Sequence, residues 1–188
     1  ISNYKNAPKI ISVGHRNSQG MTFLKDENNK ILSTEHGPKG GDELNLISLT
    51  SNSIQNFGWP ISSYGDHYDV VPLNSKTRKL APLYKSHAQY NFIEPIYYFK
   101  DSIGISEITK NSSSLLLGDY LVTSLKEKKL YNFTFEKNSR KLILKDTINI
   151  NERIRDIRSD EENNNIYYLY LEDTPKILKL TFYENKNN

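Results

Sequence analysis

At 188 residues the chain is long enough to bury a real core, and its mean hydropathy of −0.66 suits a chain surrounded by water. No apolar run approaches the length of a membrane span. The net charge of +3 is dispersed, with Lys alternating with Asp and Glu, so the concentrated positive potential that nucleic acid requires is missing. Cysteine is absent, which excludes a disulfide framework and thiolate metal sites and leaves the compartment open. The sequence opens at Ile1 without a basic-then-apolar leader, and the expectation is either a removed leader or a start inside a longer protein.

Taken in chain order, short apolar runs rich in Ile, Leu, Tyr and Phe alternate with Asn, Asp, Gly and Lys clusters. This pattern predicts strands at 10–13, 20–24, 30–34, 43–48, 95–99, 105–109, 115–124, 129–135, 141–147, 154–158, 165–171 and 176–182. Helix signals are weak, so the fold class is all-β. Two stretches repeat a plan of strand, polar turn and strand: 16–35 around Asp26-Glu27-Asn28-Asn29, and 155–170 around Glu161-Glu162-Asn163-Asn164. Segment 105–147 supplies a further set of strands. Repetition of this kind predicts about three four-stranded sheets arranged radially, as in a β-propeller. Residues 55–92, rich in Tyr, Ser, His and Pro, do not fit the count and read as a loop insertion on one face. Three blades leave two open faces, so a partner half is expected, either covalently upstream or as a second chain. The polar tail, 184–188, is expected to fray.

Three stretches carry a family likeness: Gly14-His15-Arg16-Asn17-Ser18-Gln19-Gly20, then Glu35-His36-Gly37-Pro38-Lys39-Gly40-Gly41-Asp42-Glu43, then Asn56-Phe57-Gly58-Trp59-Pro60. With Ser124-Leu125-Lys126 and Arg153-Ile154-Arg155-Asp156 they resemble, in order and spacing, the C-terminal half of the soluble PQQ-dependent (pyrroloquinoline quinone) aldose/glucose dehydrogenases, which are six-bladed β-propellers. The likeness covers nearly the whole chain. It implies calcium- and PQQ-dependent oxidation of an aldose sugar to its lactone, in a periplasmic or secreted protein. The family's catalytic histidine lies in the other half, and no residue here matches it.

PQQ carries three carboxylates, so its site needs fixed cations and a metal. The resemblance assigns Arg16, Asn17, His36, Lys126, Arg153 and Arg155 to the cofactor; arginine suits carboxylates because its planar fork binds them bidentately. Strand alternation puts Arg153 and Arg155 on one face and Ile154 on the other. The carbonyls of Gly37 and Pro38 are implied calcium ligands, in keeping with that ion's preference for oxygen. Asp42 and Glu43 look like part of a second, structural calcium site, with Glu43, the Phe57 carbonyl and Asp66 as ligands. Other readings stand beside these. Arg16 could pair with an acid, Arg153 and Arg155 could be a solvated strand face, and Lys126 could belong to a charged turn. His15 reads as structural and His67 and His87 as surface residues, whereas Tyr64, Tyr68, Tyr84 and Tyr90 could line a sugar cleft. Two departures stand out: Ser18 replaces a usual proline, a mild change, and Gly104-Ile105-Ser106-Glu107 replaces a usual Ala-Pro-Ser-Gly, which points toward a propeller that binds carbohydrate or protein without catalysis.

Overall fold

Three antiparallel sheets stack face to face as a fan, in a computed structural model that describes residues 9–184. The first sheet holds β2 (Ser18–Leu24), β3 (Glu27–Glu35), β4 (Asp42–Ser48) and β6 (Tyr97–Phe99) in that order. The second holds β7 (Ile105–Lys110), β8 (Tyr120–Ser124), β9 (Lys129–Glu136) and β10 (Lys141–Asn149). The third, among the described residues, holds β11 (Ile154–Ser159), β12 (Ile166–Leu171) and β13 (Lys176–Thr181). A short parallel pair, β1 (Ser12–Val13) with β5 (Gln55–Asn56), braces the entry to the first sheet.

Side-chain alternation explains the stacking. In β2, Gly20 and Leu24 turn toward the second sheet while Met21 and Phe23 face outward and stay exposed. The middle sheet is covered on both sides, so β8 is buried throughout: Tyr120 and Val122 join Leu24, Leu32, Leu44 and Phe133 in one core, while Leu121 joins Ile154, Ile157, Leu169 and Leu171 in the other. Burying each such aliphatic side chain stabilises the fold by about 1.5–3 kcal/mol. Among the first strands of the three sheets, β7 packs against both β2 and β11, and together they form the hub of the fan.

Most predicted strands are present with boundaries shifted by one to three residues. The 115–124 prediction shortens to Tyr120–Ser124, because the preceding Ser-rich stretch forms a turn tied to the Tyr167 hydroxyl. The turn placed on Asp26-Glu27-Asn28-Asn29 is tighter, closing on Lys25-Asp26 with Asp26 at φ 64°. The insertion runs between β4 and β6 and contains one short helix, α1 (Lys76–Leu80), and a 3-10 turn (Ala88–Tyr90), which the sequence reading did not foresee. Of the tail expected to fray, 185–188 lie outside the described residues.

Candidate functional site

The loop 36–41 leaves β3 and returns into β4 in a tight coil. Gly40 and Gly41 have φ of 79° and 69°, a region that side-chain-bearing residues avoid, and a Cβ on Gly37 would meet the Gly40 carbonyl at 2.0 Å. Arg16 reaches across from the 14–17 turn and donates to the His36 carbonyl at 3.1 Å, with its guanidinium 5.3 Å from the Trp59 ring centre. Glu35 fixes this turn, accepting from the Arg16 backbone N–H at 2.8 Å and lying 2.9 Å from His15 Nδ1. His15 also meets Ser12 Oγ at 2.9 Å and stacks on Phe57, which makes it a structural residue.

From the same turn a polar chain crosses to the third sheet. Gln19 donates to Asn17 Oδ1 at 3.0 Å and accepts from Arg155 at 3.2 Å. Arg155 and Arg153 donate to the two oxygens of Glu172 at 2.8 and 3.0 Å, and Asp173 lies 3.1 Å from Arg153 Nε. Burial opposes ionisation of Glu172, but the two guanidinium groups, Arg155 foremost, hold its carboxyl below the usual value. As alternation requires, Ile154 between the arginines is fully buried. Glu172 was not singled out from sequence; its place one residue beyond β12, opposite Arg153, emerges only from the β11–β12 pairing.

Lys126 lies elsewhere, on the wall of a cavity of about 610 Å³ shared with Pro38, Lys39, Tyr64, Asp66, Tyr68, Lys85, Lys100 and Ser102. Lys39 and Lys85 are paired with Asp69 and Asp66 at 2.7 and 2.8 Å, whereas Lys100 and Lys126 have no ion-pair partner among the described residues. Tyr64 and Tyr68 thus border a cleft, while Tyr84 and Tyr90 stack on each other at 4.2 Å.

The expected second calcium set divides. Glu43 and Phe57 line a crevice of about 10 Å³ together with Arg16, His36, Gly37 and His87. Asp66 pairs its backbone with Lys39 and turns its carboxylate to Lys85 on the other cavity. Asp42 and Glu43 are neighbours on a strand and point to opposite faces, so they cannot share one ion. Asp42 is spent on protein donors: Gly37 N–H on Oδ1, Ile103 and Ile105 N–H on Oδ2, and the Ser102 hydroxyl within reach of both. Burial opposes its ionisation, yet His36, Ile105 and Ser102 hold its carboxyl below the usual value. Glu43 has the reverse fate. Burial first, then the charges of Glu35, Glu94 and Asp42, push its carboxyl up to about 8.

His87, expected at the surface, is buried beneath Tyr64, with Nε2 3.7 Å from Glu43 and Nδ1 3.7 Å from Glu94. Its backbone N–H donates to Glu94 and anchors it there, and burial holds its imidazole below the usual value. His67 is half-buried, with Nε2 2.8 Å from the Ala81 carbonyl. Glu107 lies against Gly20 and 3.6 Å from Arg158, in contact with the strands of the hub. Among the described residues no three His, Asp or Glu side chains converge as a metal site, so an ion bound here would depend on backbone carbonyls. No helix among them is long and apolar enough to cross a membrane.

Antiparallel sheets stacked face to face about a hub of their first strands define a β-propeller. The family model described as Glucose / Sorbosone dehydrogenase matches residues 1–179, and the chain belongs to that family. It is 28% identical over 181 residues to the aldose sugar dehydrogenase YliI of Escherichia coli, covering 92% of this chain and 44% of that one. A crystal structure of glucose dehydrogenase superimposes with a TM-score of 0.75 at 26% identity, covering 97% of this chain and 49% of that one. The PQQ-bound aldose sugar dehydrogenase of Streptomyces coelicolor shares the fold, with a TM-score of 0.59 at 17% identity over 95% of this chain and 47% of that one. The chain therefore spans about half the length of the relatives it matches. It is a partial β-propeller of the six-bladed type, with two four-stranded sheets and a third of three strands among the described residues.

Proposed function

We propose that this chain is the cofactor- and calcium-holding half of a PQQ-dependent dehydrogenase that oxidises an aldose at its anomeric carbon to the lactone. The observation that carries the reading is the polar chain Asn17–Gln19–Arg155–Glu172–Arg153, which ties cofactor-type residues of the first and third sheets together beside the Arg16–His36 contact. Arg16, Arg153 and Arg155, the last two countered by Glu172 and Asp173, suit a carboxylate-rich cofactor, because arginine forks bind carboxylates bidentately. In this reading Arg16, Arg153, Arg155 and Lys126 bind the carboxylates, Asn17 donates to an oxygen of the cofactor, and Glu172 orients its two arginines. The Gly37 and Pro38 carbonyls hold calcium, and ionised Glu43 with the Phe57 carbonyl would hold a second ion. Bound PQQ supplies the electron acceptor. The general base that takes the sugar's hydroxyl proton comes from the half this chain does not contain.

That half, or a second copy, would also cover the outward face of the first sheet, where Ile11, Met21, Ile31 and Ile47 line an apolar cavity of about 280 Å³. A periplasmic or secreted location goes with the family reading. The change at Gly104-Ile105-Ser106-Glu107 favours a second reading, a propeller that binds carbohydrate or protein without oxidising it. Native mass spectrometry with calcium and PQQ, on the chain alone and with an N-terminal half supplied, tests both. Complexes carrying cofactor and calcium, and sugar-dependent dye reduction once the halves combine, are expected. Calcium uptake without redox activity selects the binding module, and no cofactor uptake under either condition refutes the dehydrogenase reading.

A further inference from the structure

Asp42 is fully buried at the start of β4; His36 Nδ1 lies 3.8 Å from its carboxylate, and it accepts hydrogen bonds from two loops that are far apart in sequence. On one side it receives the N–H of Gly37, the residue before Pro38. On the other it receives the N–H groups of Ile103 and Ile105 and the Ser102 hydroxyl, while Ser102 Oγ in turn accepts from Gly104 at 3.2 Å. The turn so held is itself the docking point of Lys126: the Lys126 N–H donates to the Ile103 carbonyl at 3.0 Å and the Leu125 N–H to the Gly104 carbonyl at 2.7 Å. One carboxylate therefore sets the Gly37–Pro38 carbonyls and the Lys126 backbone in a single frame. Pro38, Ser102 and Lys126, which all line the 610 Å³ cavity, belong to the segments it holds.

We infer that Asp42 is a positioning residue: it does not touch cofactor or metal, but clamps the Gly37–Pro38 loop to the 102–105 turn, so that Pro38 and Lys126 are held at one cavity. The role rests on the function proposed above. A carboxylate is required because both oxygens act as acceptors, whereas an amide offers one oxygen and turns an NH₂ donor toward N–H groups. Leaving such buried donors unmatched carries the full desolvation penalty.

The test compares the full chain with Asp42→Asn and Ser102→Ala, and with Leu169→Ala in the core between the second and third sheets as a control for lost stability. Amide exchange of Gly37, Ile103 and Ile105 should accelerate about tenfold or more in Asp42→Asn. Ser102→Ala keeps the carboxylate and should loosen the Gly104 amide more than that of Ile105. The absorption change of PQQ titrated in the presence of calcium should show about tenfold weaker binding in Asp42→Asn and an unchanged affinity in Leu169→Ala. Unaltered exchange at the three amides overturns the clamp, as does an affinity loss in Leu169→Ala equal to that in Asp42→Asn. If Asp42→Asn does not fold, Ser102→Ala, which removes one donor to Asp42, decides through the Gly37 amide on the other side of the clamp: faster exchange there supports the clamp and unaltered exchange overturns it. Should the wild-type chain take up no PQQ, the proposed function fails, and the exchange data still decide whether Asp42 holds the two loops together.

Discussion

Replacing Glu43 by glutamine should make the protein more stable in mild alkali, against the usual expectation for a buried polar residue. Glu43 is 6% exposed, and burial together with Glu35, Glu94 and Asp42 raises its carboxyl from an ordinary 4.5 to about 8. Its folded-state value exceeds its unfolded one, so between those two values the native protein binds more protons than the unfolded chain and stability falls as pH rises. Each unit across that window costs roughly 1.4 kcal/mol, which places the full cost of ionising Glu43 on the order of 5 kcal/mol by pH 8. Glutamine keeps the shape, carries no such proton, and can still accept from Asn45, the neighbour that bonds to Glu43. Urea unfolding at about pH 5, 6.5 and 8 should therefore show wild type and Glu43→Gln matched within about 1 kcal/mol at the acid end and diverging by several kcal/mol at the alkaline end. Millimolar calcium at the alkaline end should restore wild type and leave the variant unchanged, because only an ionised carboxylate gains from the cation. Parallel pH curves for the two proteins would refute the reasoning.

Three further outcomes follow from the geometry. Tyr167→Phe removes a buried hydroxyl that accepts from the Ser112 and Ser113 N–H groups and donates to Asn111 at 2.6 Å, so urea unfolding should show a loss of about 1–3 kcal/mol with PQQ uptake unchanged. Arg155→Ala should weaken PQQ binding by about tenfold or more, most at low ionic strength, as followed by cofactor absorption. Gly37→Ala places a Cβ 2.0 Å from the Gly40 carbonyl; calorimetric titration should show weakened calcium binding, while amide exchange in the third sheet stays as in wild type.

Strand positions, the two hairpin repeats and the pairing of Arg153 with Arg155 on one face were legible because they depend only on a period-two pattern of apolar residues and on turn chemistry. The residue identities also sufficed to mark the family, since the motif around His36-Gly37-Pro38 and the turn around Arg16-Asn17 survive as contiguous strings.

What a linear pattern does not encode is which acid serves which cation. Asp42 and Glu43 look equivalent in sequence, but the pleat sends one into a ring of N–H donors and the other into a crevice with like charges. His87 sits in a polar insertion and reads as surface until the fold lays Tyr64 over it; Asp66 reads as a ligand until its backbone pairs with Lys39 and its carboxylate turns to Lys85. The sequence by itself determined an all-β chain, its blade rhythm and its family, because local sterics and alternation act over a few residues. Only the tertiary structure decided the partners of Glu172, Asp42 and Glu43, because burial and electrostatic neighbours are set by strands and loops that meet across tens of residues.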